Sequence, residues 1–238
     1  MSVIQVRDPR AAADLPELVS RYVERNVSNG ALNVRGVRFS EVGEMQLKPG
    51  RWTPFRAEQE MAVEAVGFIW RATFHPVPLL PLRVRDWYHA GAAGLDVRLW
   101  GLLPVVRARG RQIARGEAIR YLLELPLAPQ AMVLNGELSW RAVDESTVEV
   151  TTLADRQRVV ALLHFDASGD IVAASAEARP RGVGSDVVDT PIHGVYGEYR
   201  EFDGARLPTT AEVSWLLPDG PSTYFRCAVT EWSVGTKG

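Results

Sequence analysis

Apolar residues change their period close to residue 37. Between Asp14 and Val27, the residues Leu15, Leu18, Val19, Tyr22 and Val23 recur at helical spacing and form one stripe. Asp14 is placed to cap this helix, Pro16 suits its first turn, and Glu17 completes a capping-box-like spacing. Asn29-Gly30 is the expected stop. From Val37 onward the period approaches two, as in half-buried strands. The runs VRFSEVGEMQL, FRAEQEMAV, GFIWRATF and LRVRDWYHA form a first set of expected strands. A second set comprises GELSWRAV, STVEVTTL, RVVALLHF, IVAASAEA, GVYGEYREF, TAEVSWLL and STYFRCAVTEW. Ser168-Gly169-Asp170, Asp203-Gly204 and Asp219-Gly220 supply the turns. RVVALLHF is apolar on both faces, which predicts a strand covered on both sides. HPVPLLPL holds three prolines and reads as an edge or lip, because proline cannot donate to a ladder. One further helix is predicted over Ile113 to Leu125, stopped by Pro126. Many antiparallel strands joined by tight turns imply a mainly β protein whose meander curls or closes, with two helices to cover it.

Composition narrows the function classes. With 46% hydrophobic and 24% charged residues among 238, the chain is of ordinary globular type. Lys plus Arg number 27 against 29 Asp plus Glu, so no basic excess exists to neutralise nucleic acid. Apolar runs such as Trp100 to Val106 are too short to span a bilayer. The start, MSVIQVRDPR, has charges and no apolar signal core, and a single cysteine, Cys227, fits a reducing compartment. A cytoplasmic protein is therefore expected. No linker or repeat interrupts the chain, which predicts one domain over 1–238. Residues 1–36 form its helical N-terminal segment, and 37–234 form the sheet with the helix at 113–125 inserted. A homodimer is left open.

Candidate chemistry is sparse. No GxGxxG, phosphate loop or GxSxG elbow occurs, and His75, His89, His164 and His193 lack metal-ligand spacing. Neither a metal nor a cofactor is expected. Cys227, flanked by Phe225 and Val229 on one strand face, reads as a packed thiol, and His164 as a hydrogen-bonded core histidine. Arg83 and Asp86 point to opposite faces of one strand and must find partners elsewhere. Glu117, Arg120, Tyr121 and Glu124, at i, i+3, i+4 and i+7, project from one side of the second helix, while Ile119, Leu122 and Leu123 form its apolar stripe. Two readings follow. The polar stripe is either a solvated face with an Arg120–Glu124 pair, or a cavity-facing group able to share protons.

The order RWTPFRAEQ, GFIWRATF, RVRDWY, RGEAIRYLLELPLAPQAM and NGELSW resembles an uncharacterised bacterial family of unknown function. The tail PIHGVYGEYREFDGARLP and EVSWLLPDGPSTYFRCAVTEW carries the same resemblance. That family is similar in fold to the lipoprotein-carrier (LolA-like) group, a curved antiparallel half-barrel closed by helices over an apolar cavity. The resemblance implies a hydrophobic small-molecule ligand and carries no catalytic residues, and fold alone does not fix function. The cavity is expected between the sheet and the second helix, lined by Trp52, Phe55, Phe68, Trp70, Arg83 and Leu122. The leading expectation is a cofactor-independent acid–base enzyme of cyclase, isomerase or lyase type, acting on a polyketide-, isoprenoid- or acyl-like chain. Glu117 would be its acid–base group, Tyr121 a hydrogen-bond donor, and Arg120–Glu124 the orienting pair. The alternatives are a non-catalytic carrier or sensor using the same cavity, and an interaction module whose charged helix faces water.

Overall fold

Burial alternates along Arg51–Ala62, where Thr53, Phe55, Ala57, Gln59 and Met61 point inward and Arg56, Glu58 and Glu60 outward. This period of two recurs through most of the chain and builds one continuous sheet. The computed structural model describes residues 15–28, 32, 34–77, 79–182, 186–202 and 204–236. Six strands come first: β1 (Val34–Lys48), β2 (Arg51–Ala62), β3 (Gly67–Phe74), β4 (Leu82–His89), β5 (Ala92–Leu99) and β6 (Leu103–Arg109). Seven follow the helical insertion: β7 (Ser139–Ala142), β8 (Thr147–Ala154), β9 (Gln157–Phe165), β10 (Ile171–Arg181), β11 (Val188–Phe202), β12 (Ala205–Leu217) and β13 (Gly220–Thr236). Their spatial order is β6-β5-β4-β3-β2-β1-β13-β12-β11-β10-β9-β8-β7, and all paired strands are antiparallel.

Each meander runs from one edge of the sheet to the middle, and β1 joins β13 there. The last strand of the first meander and the first of the second are therefore opposite edges. Their connection has to cross the sheet. It does so as helix α2 (Arg111–Leu123), a 3-10 turn (Leu125–Leu127) and the short helix α3 (Ala131–Leu134). Helix α2 packs against β8, β9 and β10 on one side and against β3 to β6 on the other, so the sheet curls around it as a half-barrel. Ala118, Ile119, Tyr121 and Leu122 are buried in the common core. The N-terminal helix, here α1 (Glu17–Asn26), adds Val19, Tyr22 and Val23, with Tyr22 edge-on to Phe165.

The fold is mainly β with a curled antiparallel sheet, as the periodicity implies, and it takes the half-barrel form that the resemblance implies, with several local departures. Helix α2 begins at Arg111 and ends at Leu123, two residues earlier than expected, because Pro126 turns the chain into the 3-10 geometry. Strands β5 and β6 were not predicted: AAGLDVRL is rich in small residues, and the exposed edge LPVVRAR has no alternating apolar face to announce it. RVVALLHF is covered on one face only, since Val160, Leu162 and His164 are half-buried on the other. The described residues 75–77 and 79–81 of HPVPLLPL lie in the β3–β4 connection, in keeping with a lip, and Leu82 opens β4. Pro16 takes the cap position of α1 without a side-chain cap bond. The expected cap Asp14, the stop Asn29-Gly30 and the turn residue Asp203 lie outside the described residues.

Candidate functional site

Helix α2 turns Glu117, Arg120 and Glu124 toward the concave face, where strands β1 to β4 present Glu41, Gln59, Trp70 and Asp86. Arg120 is the hub. Its Nε donates to Glu124 Oε1 at 2.7 Å, Nη1 to Asp86 Oδ2 at 2.7 Å and Nη2 to Gln59 Oε1 at 2.9 Å. Gln59 Nε2 donates in turn to Glu124 Oε2, closing a ring of hydrogen bonds. The guanidinium also lies 4.8 Å from the Phe68 ring centroid and 5.1 Å from that of Trp70. Trp70 Nε1 donates to Glu41 Oε1, beside Cys227.

Four carboxyls (Glu41, Asp86, Glu117 and Glu124) share this buried space with two guanidiniums, Arg120 and Arg179. Full ionisation would leave two negative charges uncompensated in a medium that solvates them poorly. Protons relieve the excess. Burial, reinforced by the neighbouring Asp86 charge, pushes Glu117 up to about 8. Burial also raises Glu41, against the Trp70 hydrogen bond that opposes it. Burial raises Cys227 well above the ordinary thiol range, with Glu41 beside it, which keeps the half-buried side chain a neutral thiol. Among the described residues, Glu117 Oε2 and Asp86 Oδ1 receive no hydrogen bond from any N–H or hydroxyl group. The proton that burial and the Asp86 charge hold on Glu117 makes its carboxyl a donor beside Asp86.

Beyond this cluster the concave face becomes aromatic and more open. Arg179 Nε donates to the Gly116 carbonyl at 3.1 Å and Nη1 to Tyr224 Oη at 3.2 Å. Its Nη2 is 3.8 Å from Glu117 Oε1, and its guanidinium lies 5.7 Å from the Trp215 centroid. Trp215 stacks on Tyr224 at 5.3 Å, and Phe225 stacks on Phe55 at 5.3 Å. Phe55 in turn meets Trp70 and Phe74. Met45, Leu82, Val84, Val213, Trp215 and Phe225 are only half-buried against this core. They leave an apolar strip that ends at Glu117 and Arg179.

The expected polar stripe is therefore split. Glu117, Arg120 and Glu124 join Asp86 and Gln59; Glu117 is buried, and the Arg120 and Glu124 side chains are 14% and 21% exposed. Tyr121 is in a different network: its hydroxyl donates to the Ala62 carbonyl at 2.8 Å and accepts from Asn135 Nδ2 at 2.9 Å. Its proton is thus committed to the backbone. Phe55, Phe68, Trp70 and Leu122 are each at most 5% exposed, with Phe55 edge-on to Trp70, so they are core residues and leave no open cavity beneath α2. Trp52 and Arg83 do not join them. Trp52 lies on the convex face under the Arg226 guanidinium, 4.5 Å from its ring centroid, and Arg83 is exposed on that same face. Both follow from strand parity, since Thr53 and Val84 take the inward positions. His164 bonds Ser175 Oγ at 2.9 Å through Nε2. Glu41, Gln59, Arg179 and Tyr224 were missed. The detectable signal was a polar residue at an inward parity position of a strand, most plainly Gln59 between Ala57 and Met61.

The sequence profile of a family of unknown function, DUF6544, matches residues 5–227. The chain belongs to that family. No curated protein matches this DUF6544 member. Its fold is similar to that of a protein domain from Vibrio parahaemolyticus named for outer membrane lipoprotein sorting, with a TM-score of 0.52 at 11% identity. The likeness covers 96% of this chain and 94% of that one. A LolA superfamily protein from Nitrosomonas europaea aligns over 92% of this chain and 94% of its own, with 11% identity and a TM-score of 0.43. The DUF6544 chain thus has the LolA-like fold. No helix among its described residues is long and apolar enough to cross a membrane.

Proposed function

We propose that this protein is a non-catalytic carrier or sensor of a hydrophobic small molecule with one polar end. The observation that carries this reading is the half-buried strip of Met45, Leu82, Val84, Val213, Trp215 and Phe225 on the concave face, ending at Arg179 and Glu117. Such a surface gains by being covered, and a few converging polar groups at one end orient what covers it. Arg179 suits a ligand oxygen because its contact to Glu117 is long and Glu117 holds a proton at neutral pH. Fold likeness to a lipoprotein-sorting domain supports a carrying role. Catalysis fits less well, because all three Arg120 nitrogens and the Tyr121 hydroxyl are spent on groups of the protein itself. A single cysteine held as a packed thiol accords with a cytoplasmic setting.

One observation favours the acid–base enzyme as a second reading: Glu117 is pushed up to about 8 at the end of an apolar strip. Denaturing mass spectrometry of molecules retained through purification, combined with displacement of an environment-sensitive apolar dye by acyl chains and terpenoids, tests the carrier. Dye binding that Phe225→Arg abolishes and Glu117→Gln preserves supports it. A retained molecule converted by wild type and left unchanged by Glu117→Gln would replace it with the enzyme. No dye binding at all would discard both.

A further inference from the structure

One end of the sheet is apolar and basic at once. The turn between β1 and β2, the β3–β4 connection and the turn between β5 and β6 lie side by side there, because alternate hairpins of a meander turn at the same end. Leu79 is 89% and Leu102 79% exposed, and Val77, Trp100, Leu103 and Val105 are exposed around them. So many large apolar side chains seldom stand together in water without a partner. The two loops are tied into one platform. Trp100 donates its backbone N–H to the Pro81 carbonyl at 2.9 Å and its Nε1 to the Leu79 carbonyl at 2.9 Å.

Backbone strain holds the platform outward. Leu79 has φ 68° and Trp100 φ 52°, the left-handed region that side chains with a bulky Cβ substituent rarely adopt. Glycine would be the cheaper residue at both places, so large apolar groups are kept there at a cost.

Within the three loop segments themselves the charges have one sign. Arg51 donates to the Pro76 carbonyl at 3.1 Å, Arg83 lies over Gly101, and Arg98 is the register partner of Arg83. Lys48 extends the group at the adjacent turn. No Asp or Glu occurs in residues 48–56, 74–83 or 98–106. Leucines at the tips, a tryptophan whose ring nitrogen is hydrogen-bonded below them, and a girdle of cations match the layers of an anionic bilayer surface.

We propose that this end of the half-barrel docks on anionic lipid membranes, inserting Leu79 and Leu102 while Lys48, Arg51, Arg83 and Arg98 meet the headgroups. Docking uses none of the concave strip and is independent of what that strip binds. The test is sedimentation of the full chain with vesicles of phosphatidylcholine alone and of phosphatidylcholine with phosphatidylglycerol. Wild type sediments with the anionic vesicles and little with the neutral ones. The L79S/L102S variant loses partitioning on the order of a hundredfold, from the apolar area withdrawn. The R83Q/R98Q variant loses the preference for phosphatidylglycerol, and wild-type binding weakens as salt is raised. These side chains are solvated, so all variants melt as wild type does. A Phe225→Arg variant that no longer takes up dye still sediments. Wild type remaining in the supernatant with both vesicle types overturns the proposal, as does L79S/L102S binding undiminished. A wild-type dimer that L79S/L102S dissociates, with no vesicle binding, assigns the patch to a second copy of this chain and likewise overturns it.

Discussion

Glu117 shows how one side chain can tie stability to pH. A carboxyl that ionises near 4.5 in the unfolded chain and near 8 in the fold keeps an additional proton in the folded state between those values. Raising the pH through that window therefore weakens the fold, by at most about 1.4 kcal/mol per pH unit for one proton. Glu117→Gln keeps a donor facing Asp86 and removes the titration. Its urea midpoint should match wild type below pH 4.5 and exceed it increasingly up to pH 8, where the gap levels off. Parallel pH profiles would show that Glu117 carries no such proton. Glu41, raised in the same direction, leaves a residual slope in the variant. Tyr121 offers a contrast. Tyr121→Phe removes the bond to the Ala62 carbonyl and orphans Asn135 Nδ2, which should cost about 1–2 kcal/mol at every pH and leave dye binding intact. None of this distinction was legible in the sequence. Positions i and i+4 share a helix side, yet 40° of offset is enough to send Glu117 to Asp86 and Tyr121 to the Ala62 backbone.

At the level of elements, Arg120 fastens α2 to β2 and β4 on the inner wall. Its three acceptors come from Glu124, Gln59 and Asp86, so the helix and two strands are held through one guanidinium. Replacing it with methionine leaves Asp86 and Glu124 buried without a cation, which should cost about 3–5 kcal/mol in equilibrium unfolding. Arg120→Lys should recover only part of this, since an ammonium cannot serve three acceptors spread around a planar fork. Equal stability of the lysine variant and wild type would argue against the fork. Strands were readable where burial alternated cleanly: GFIWRATF coincides with β3, and LRVRDWYHA with β4 to within a residue. They were unreadable where the sheet edge faces water, as in β6, because an edge strand with Leu103, Pro104 and Val105 all exposed has no periodic face. The Arg120–Glu124 pair was visible as an i, i+4 spacing, but its partners Asp86 and Gln59 depend on a sheet-to-helix contact that no local pattern encodes.

For the molecule as a whole, topology links the two meanders more tightly than chain order suggests. Strands β1 and β13 join them in the middle of the sheet, while α2 touches both flanks from within. The chain should therefore unfold in one transition, with far-ultraviolet circular dichroism and tryptophan fluorescence reporting the same urea midpoint. Two separated transitions would mean that the meanders are independent. The same wrapping leaves the space beneath α2 filled, with Phe55, Phe68, Trp70 and Leu122 all buried, and moves the open apolar surface to the strip around Trp215 and Phe225. A ligand taken up there would cover surface that is now wet and would lose it again on release, without parting α2 from the sheet. Dye or acyl-chain binding should then be nearly unaffected by cross-linking α2 to β9, and abolished by an arginine at Phe225 or Trp215. If cross-linking blocks uptake while those arginine variants still bind, the ligand enters beneath the helix. The core under Arg120 would then be the pocket in its closed state.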